Sequence, residues 1–183
     1  MAGCAHDWAR LAPIARAYYA AGGPAQQLRA MARHVLTVGG YGPCLKVILT
    51  LHKDDLLGPL TEGKVSGPPG NAFELVYGDI ALAVRKKLHD ADPVLGEWIR
   101  LHLYGDVYSS PGIDLRMKQL ALCGFLGEAD MPDQLFGHAL AAFRFGATRE
   151  QVEEAVDLAY ESMKSEAKTA AHKEAFKIID MVR

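Results

Sequence analysis

Apolar positions along this chain recur at three- and four-residue spacing almost throughout, and glycine and proline mark where each run stops. That rhythm is helical, because positions i, i+3, i+4 and i+7 share one face of a 3.6-residue turn. Residues 7–21 (DWARLAPIARAYYAA) read as a first helix, bent at Pro13 and stopped by Gly22 and Gly23. Pro24 opens a second, AQQLRAMARHVLTV, which Gly39 and Gly40 end. Pro43 opens a third, with Leu45, Ile48, Leu49, His52 and Leu56 on the face expected to be buried. Residues 58–71 (GPLTEGKVSGPPGN) are the one long irregular stretch, read as a lid, an interface arm or a mobile link.

Beyond the loop, Asn71 and Glu74 form a capping box for the helix AFELVYGDIALAVRKKLHDA. Asp92 and Pro93 cap and start VLGEWIRLHLYGDVYSS. After a break at residues 109–112, residues 113–127 are helical again. Asp130 is placed to cap a helix carrying Pro132 in its first turn, and Gly146 to end that helix in a left-handed residue. Thr148-Arg-Glu-Gln151 is a capping box for the next helix, whose apolar stripe is Val152, Ala155, Val156, Ala159 and Met163. The last segment, 167–183, is amphipathic, and its Phe176, Ile179 and Val182 need a surface to cover. Alternation of β-branched residues never persists, so no sheet is expected. The expectation is an all-α chain of eight or nine helices in one domain spanning 1–183. It divides into N-terminal helices (1–57), the loop (58–71), a core (74–163) and a C-terminal helix (167–183).

Length allows a sizeable core without staples. A net charge of −2 gives no global preference for nucleic acid. No apolar run reaches the roughly 18 residues of a membrane span. Within the first 53 residues Arg10, Arg16, Arg29, Arg33, Lys46 and Lys53 face a single acid, Asp7. That bias is either a helix pair with exposed cations or the remnant of an organelle transit segment. A cytoplasmic protein is expected, with an organelle matrix or stroma as the alternative. Cys4, Cys44 and Cys123 are isolated, which fits a reducing compartment. Cys123, in LALCGFL, reads as an inert core residue, whereas Cys44 sits at a helix start, where the dipole can lower a thiol pKa. His34 and His52 read as helix-face or capping residues. Trp98 and His102, four apart, read as core. No metal-ligand spacing is present, and neither metal nor cofactor is expected.

The segment YGDVYSSPGIDLRMKQLAL, followed by His138, seven residues, Gly146-Ala147-Thr148 and EQVEEAV, resembles the carboxymuconolactone decarboxylase family and the related D-type alkylhydroperoxidases. The resemblance spans about residues 74–163. It implies an alkylhydroperoxidase D-like helical bundle built on a central hairpin and assembled into trimers or hexamers. In the family's peroxidase branch two thiols precede the histidine, and a glutamate one helix earlier relays protons. Here those positions are Met131, Gln134 and Gln119, so thiol peroxidase chemistry is not expected. Of the decarboxylase pattern, Pro111, Gly112, Asp114, Arg116 and His138 remain, while Ser110, Lys118 and Gln119 replace two arginines and the glutamate.

What the resemblance implies for a site is His138 as general acid/base, oriented by Gln119 and Gln134. Arg116 or Lys118 would meet negative charge, with Tyr104, Tyr108 and His102 near by. The capped turn at Asp130 brings the second helix back along the first, which predicts that Gln119 and His138 come within hydrogen-bonding reach. Two functions follow. One is a degenerate, non-catalytic homo-oligomer that binds a small molecule or a partner, with nucleic acid and membrane not expected. The other is a cofactor-free acid/base enzyme acting on a small carboxylated or lactone substrate. The joint loss of glutamate, arginine and thiols favours the first.

Overall fold

The computed structural model describes residues 7–58, 72–160 and 166–182, and all of its regular structure is helical, with no strand among the described residues. The chain divides into two compact units, Ala2–Ile113 and Asp114–Arg183. The irregular stretch after Gly58, the Asn71 half of its capping box and Cys4 lie outside the described residues.

In the first unit a short 3-10 turn, Trp8–Arg10, leads into α1 (Leu11–Ala20). Pro13 therefore falls in the first turn of α1, where its missing N–H breaks no intrahelical bond, and the expected bend becomes the junction between the two windings. Gly22, at φ +82°, closes α1: its N–H bonds to Tyr19 O, and that of Gly23 to Tyr18 O. These are the paired 5→2 and 6→1 bonds of a left-handed cap. α2 (Ala25–His34) and the single turn α3 (Leu36–Gly39) follow, then α4 (Tyr41–Lys53). Leu11, Ala15, Ala32, Val47, Leu51, Leu56 and Leu57 form one buried cluster between α1, α2 and α4. Tyr19 Oη donates to Leu56 O at 2.7 Å, and Arg29 Nη2 to Gly58 O at 2.7 Å, which tie the end of α4 back to α1 and α2.

The buried face of α4 is rotated from the sequence expectation. Val47 and Leu51 point inward, while Leu45, Leu49 and His52 are exposed. Both faces of α4 carry apolar residues, so periodicity alone cannot choose between them.

After the loop, α5 (Ala72–Tyr77) ends at Gly78 (φ +53°), which turns one predicted helix into two, with α6 (Ala81–Ala91) beyond a 3-10 turn. Asp92 caps α7 (Pro93–Trp98) by accepting from Val94 N at 2.9 Å and Leu95 N at 3.0 Å. α7 runs directly into a π-helix, Ile99–Val107, whose wider winding is continued by the Tyr108 N–H bond to Leu103 O. Phe73, Tyr77, Tyr104 and Tyr108 stack there in a chain of rings 4.6 to 5.6 Å apart. Trp98 does not join them: with Val94, Leu95 and Leu101 it forms an exposed apolar stripe, contrary to its reading as core.

The second unit packs four helices: α8 (Leu115–Glu128), α9 (Pro132–Arg144), α10 (Arg149–Tyr160) and α11 (Glu166–Met181). Asp114 caps α8 through Met117 N at 2.8 Å. Asp130 plays a different part from the one expected. At φ +55° it is the left-handed residue that ends α8, with the Met131 N–H returning to Leu126 O, and Met131 rather than Asp130 is the N-cap of α9. The Schellman turn at Gly146 (φ +84°) and the reciprocal bonds of Thr148 with Gln151, at 3.0 and 3.2 Å, form as the sequence predicts. Val152, Ala155, Val156 and Ala159 of α10 are buried, as are Ala175, Ile179 and Val182 near the C-terminus.

Gly127 is the closest approach in this unit. A methyl group placed there would lie 3.2 Å from both Val156 methyls and 3.4 Å from Ala175 Cβ. Gly137, inside α9, has open space around it. Gly127→Val should therefore cost about 1–3 kcal/mol by overpacking. Gly137→Ala should stabilise by about 0.5–1 kcal/mol through helix propensity. Urea unfolding of the two variants measures both, and opposite signs are expected.

Candidate functional site

The site begins with Gln119, one turn into α8 and fully buried. An amide in that position must find a hydrogen-bond partner inside the protein. The left-handed turn at Asp130 sends α9 back along α8, and His138 meets it: Nδ1 lies 2.6 Å from Gln119 Oε1. This is the approach the sequence predicts. An amide oxygen only accepts, so with this placement Nδ1 carries the proton and donates, and Nε2 holds the free lone pair. Gln119 Nε2 is buried with no hydrogen-bond partner. It is an unused donor beside the imidazole.

His138 keeps a little accessible surface, yet the protein around the ring penalises the imidazolium and lowers its pKa from 6.5 to about 4. Among the described residues no carboxylate hydrogen-bonds to the ring to offset that burial. General acid/base work near neutrality is best served by a group titrating near neutrality. A neutral imidazole facing a neutral amide is a weak base and not a proton donor of the imidazolium kind.

The other predicted residues are placed as follows. Gln134 and Met131 are exposed on or before the first turn of α9, and neither supplies sulfur nucleophile chemistry. Arg116 is half-buried on α8, and Lys118 is buried beside Gln119. Tyr104 and Tyr108 belong to the first unit, buried in its ring cluster. Tyr104 Oη donates to Tyr77 Oη at 2.9 Å, and burial raises both pKa values, keeping the phenols neutral. Cys123 is wholly buried, and its thiol is pushed up to about 12. Cys44 departs from the sequence reading. Burial raises its pKa, and the backbone hydrogen bond and the Arg33 charge that act the other way are smaller. Among the described residues no three metal-ligating side chains converge.

A second polar constellation, in the first unit, escaped the sequence reading. Tyr41 Oη lies 2.8 Å from His102 Nε2, the two rings are stacked, and His102 Nδ1 lies 3.3 Å from Asp106 Oδ2. The three edge a cavity of about 370 Å³ walled mostly by apolar side chains, with Arg33, Cys44 and Ser110 also in its lining. The one local signal was His102 four residues before Asp106. Tyr41 and Arg33 stand more than sixty residues away in sequence.

The low pKa of His138 has a consequence for stability. The folded value lies below the unfolded one, so the unfolded chain binds the extra proton first. Stability should be intact at pH 7, fall as pH drops through 6.5, and level off near pH 4. The loss should be on the order of 2–3 kcal/mol. His138→Gln should remove this component, so urea unfolding at pH 7 and pH 4.5 should show a smaller acid loss in the variant. Equal pH dependence in both proteins would contradict the burial argument.

Comparison of the chain with protein-family models, with characterised proteins and with solved structures returns no match, so the functional reading rests on the residues themselves.

Proposed function

We propose that this chain is a carboxymuconolactone decarboxylase-like helical protein that has lost the family's own reactions and acts by binding, as a homo-oligomer. The observation that carries the reading is the 2.6 Å contact between His138 and Gln119. Where a catalytic pair needs a carboxylate to hold and charge the histidine, this pair is neutral on both sides. Burial keeps it neutral down to about pH 4. The unused N–H of Gln119 is a fixed donor in a dry setting, suited to holding an acceptor atom rather than to moving a proton.

Assembly is supported by apolar surface. Val94, Leu95, Trp98 and Leu101 form one exposed stripe, and Trp98 is 67% exposed. Contiguous apolar surface of this kind marks contact sites. In light scattering at micromolar concentration the particle should exceed 19.9 kDa, and a purely monomeric particle would overturn the oligomer.

The acid/base reading retains one observation in its favour, the free lone pair on His138 Nε2. Both readings meet in one variant. Gln119→Glu places an anion against Nδ1–H and should raise the His138 pKa from about 4 by about 1–3 pH units, as an opposite charge at hydrogen-bond range does. NMR titration of His138 reads the change directly. If the variant also gains turnover of a small carboxylated lactone that the parent lacks, the parent site is a disabled enzyme. Turnover by the parent itself would overturn the non-catalytic reading.

A further inference from the structure

We infer that the 370 Å³ cavity of the first unit is a binding site for a small amphipathic carboxylate, with the Arg33 guanidinium taking the anionic head and the apolar walls taking the hydrocarbon body. The inference concerns the unit that does not contain His138 and does not depend on how that residue is read.

The walls set the body of the ligand. Leu36, Leu45, Ile48 and Val107 present side-chain carbon, and a concave site of a few hundred Å³ with few polar groups is the usual shape of a small-molecule pocket. Arg33 sets the head. Arg33 is half-buried: among the described residues its Nε is buried without a hydrogen-bond partner, while its Nη2 reaches Pro111 O at a long 3.4 Å on the exposed side. It forms no ion pair among the described residues. A guanidinium is a planar fork whose donors match a carboxylate two at a time, and it stays charged when buried. A half-buried guanidinium with unused donors beside an apolar wall offers an entering carboxylate a charged fork next to a hydrocarbon surface.

The other polar groups of the lining are already engaged. Asp106 accepts from His102, whose second nitrogen meets Tyr41, so that acid is directed along the rim. Ser110 Oγ donates to Val107 O at 2.7 Å. The Cys44 thiol is directed at the carbonyls of Ala32 and Arg33, at 3.7 and 3.6 Å. What faces the hydrocarbon wall is one cation, with the Asp106 carboxylate turned to the exposed rim and held by His102. A neutral apolar ligand would leave Arg33 unanswered.

Calorimetric titration of the full-length protein with octanoate and with 1-octanol separates these cases. Octanoate should bind at a single site at least tenfold more tightly than octanol. Arg33→Met should bring octanoate to within about threefold of octanol, and Arg33→Lys, which keeps the charge but not the fork, should fall between. Thermal melts monitored by circular dichroism confirm that each variant is folded. Location is read in the unmodified protein: saturating octanoate should slow alkylation of Cys44 by iodoacetamide at least fivefold, measured on the Cys44 peptide by mass spectrometry. Equal affinity for acid and alcohol, unchanged octanoate affinity in folded Arg33→Met, unprotected Cys44 or no binding of octanoate would each overturn the assignment.

Discussion

A fully buried glutamine amide has few ways to be satisfied, and in the second unit the one found for Gln119 dictates much else. Its oxygen reaches His138 Nδ1 at 2.6 Å only if α9 runs back along α8 in one register. Sliding α9 by a residue would swing the imidazole around the helix and leave two polar groups stranded in apolar surroundings. Apolar contacts between the same helices are more forgiving, because small residues such as Ala139, Ala141 and Ala142 fit many neighbours. A polar pair therefore selects among packings that hydrophobic burial alone would tolerate. The turn before it and the cap after it serve that register. Asp130 reverses the chain in the left-handed conformation, and the Gly146 turn with the Thr148–Gln151 box returns it into α10. Gly127 then lets α8, α10 and α11 close to where even a methyl group would push its neighbours back by a few tenths of an ångström.

The first unit is organised by different means. Its hydrophobic cluster joins α1, α2 and α4, while Tyr104 of the π-helix and Tyr108 just after it join Phe73 and Tyr77 of α5 in a buried ring cluster, and Trp98 and Leu101 lie exposed. π-windings recur at functional positions because the extra residue per turn re-aims side chains that an α-helix would bury or separate. His102 and Asp106, four residues apart, hydrogen-bond as i,i+4 neighbours do on any helix, and His102 also meets Tyr41 from α4. The result is a polar edge on an apolar cavity.

Which of these features could be read from sequence follows the range of the interaction involved. Caps were legible at Asp92, at Thr148 with Gln151 and at the glycine after α9, since these act on residues within a few positions. The Gln119–His138 contact was legible as well, because a short turn between two helices leaves little choice of geometry. Asp130 misled because an aspartate is equally at home as an N-cap and in the left-handed region, and the choice belongs to the helix before it. The face of α4 misled because Leu45 and Leu49 match the helical period as well as Val47 and Leu51 do. What stands opposite decided it, and periodicity does not record that. The winding of residues 99–107, the exposure of Trp98 and the meeting of Tyr41 with His102 depend on contacts far apart in the chain. Cys44 was judged by its place at a helix start, and the burial that outweighs the dipole is a tertiary property.

The neutrality of the His138 site has an energetic side. A glutamate buried at position 119 would need to leave water as an anion and charge the imidazole to be satisfied, and a buried ion pair often stabilises no better than a neutral pair of similar shape. Glutamine keeps the shape and the acceptor oxygen and removes both charges. Where catalysis is under demand, that desolvation penalty is the cost of a charged histidine. Where it is not, the glutamine gives the same hairpin register with a single hydrogen bond and nothing to ionise until about pH 4. A glutamate at position 119 would thus bring an acid/base pair and a buried charge together, in one side chain. The register of α9 would tolerate either residue, because the contact is made by an oxygen that both side chains possess.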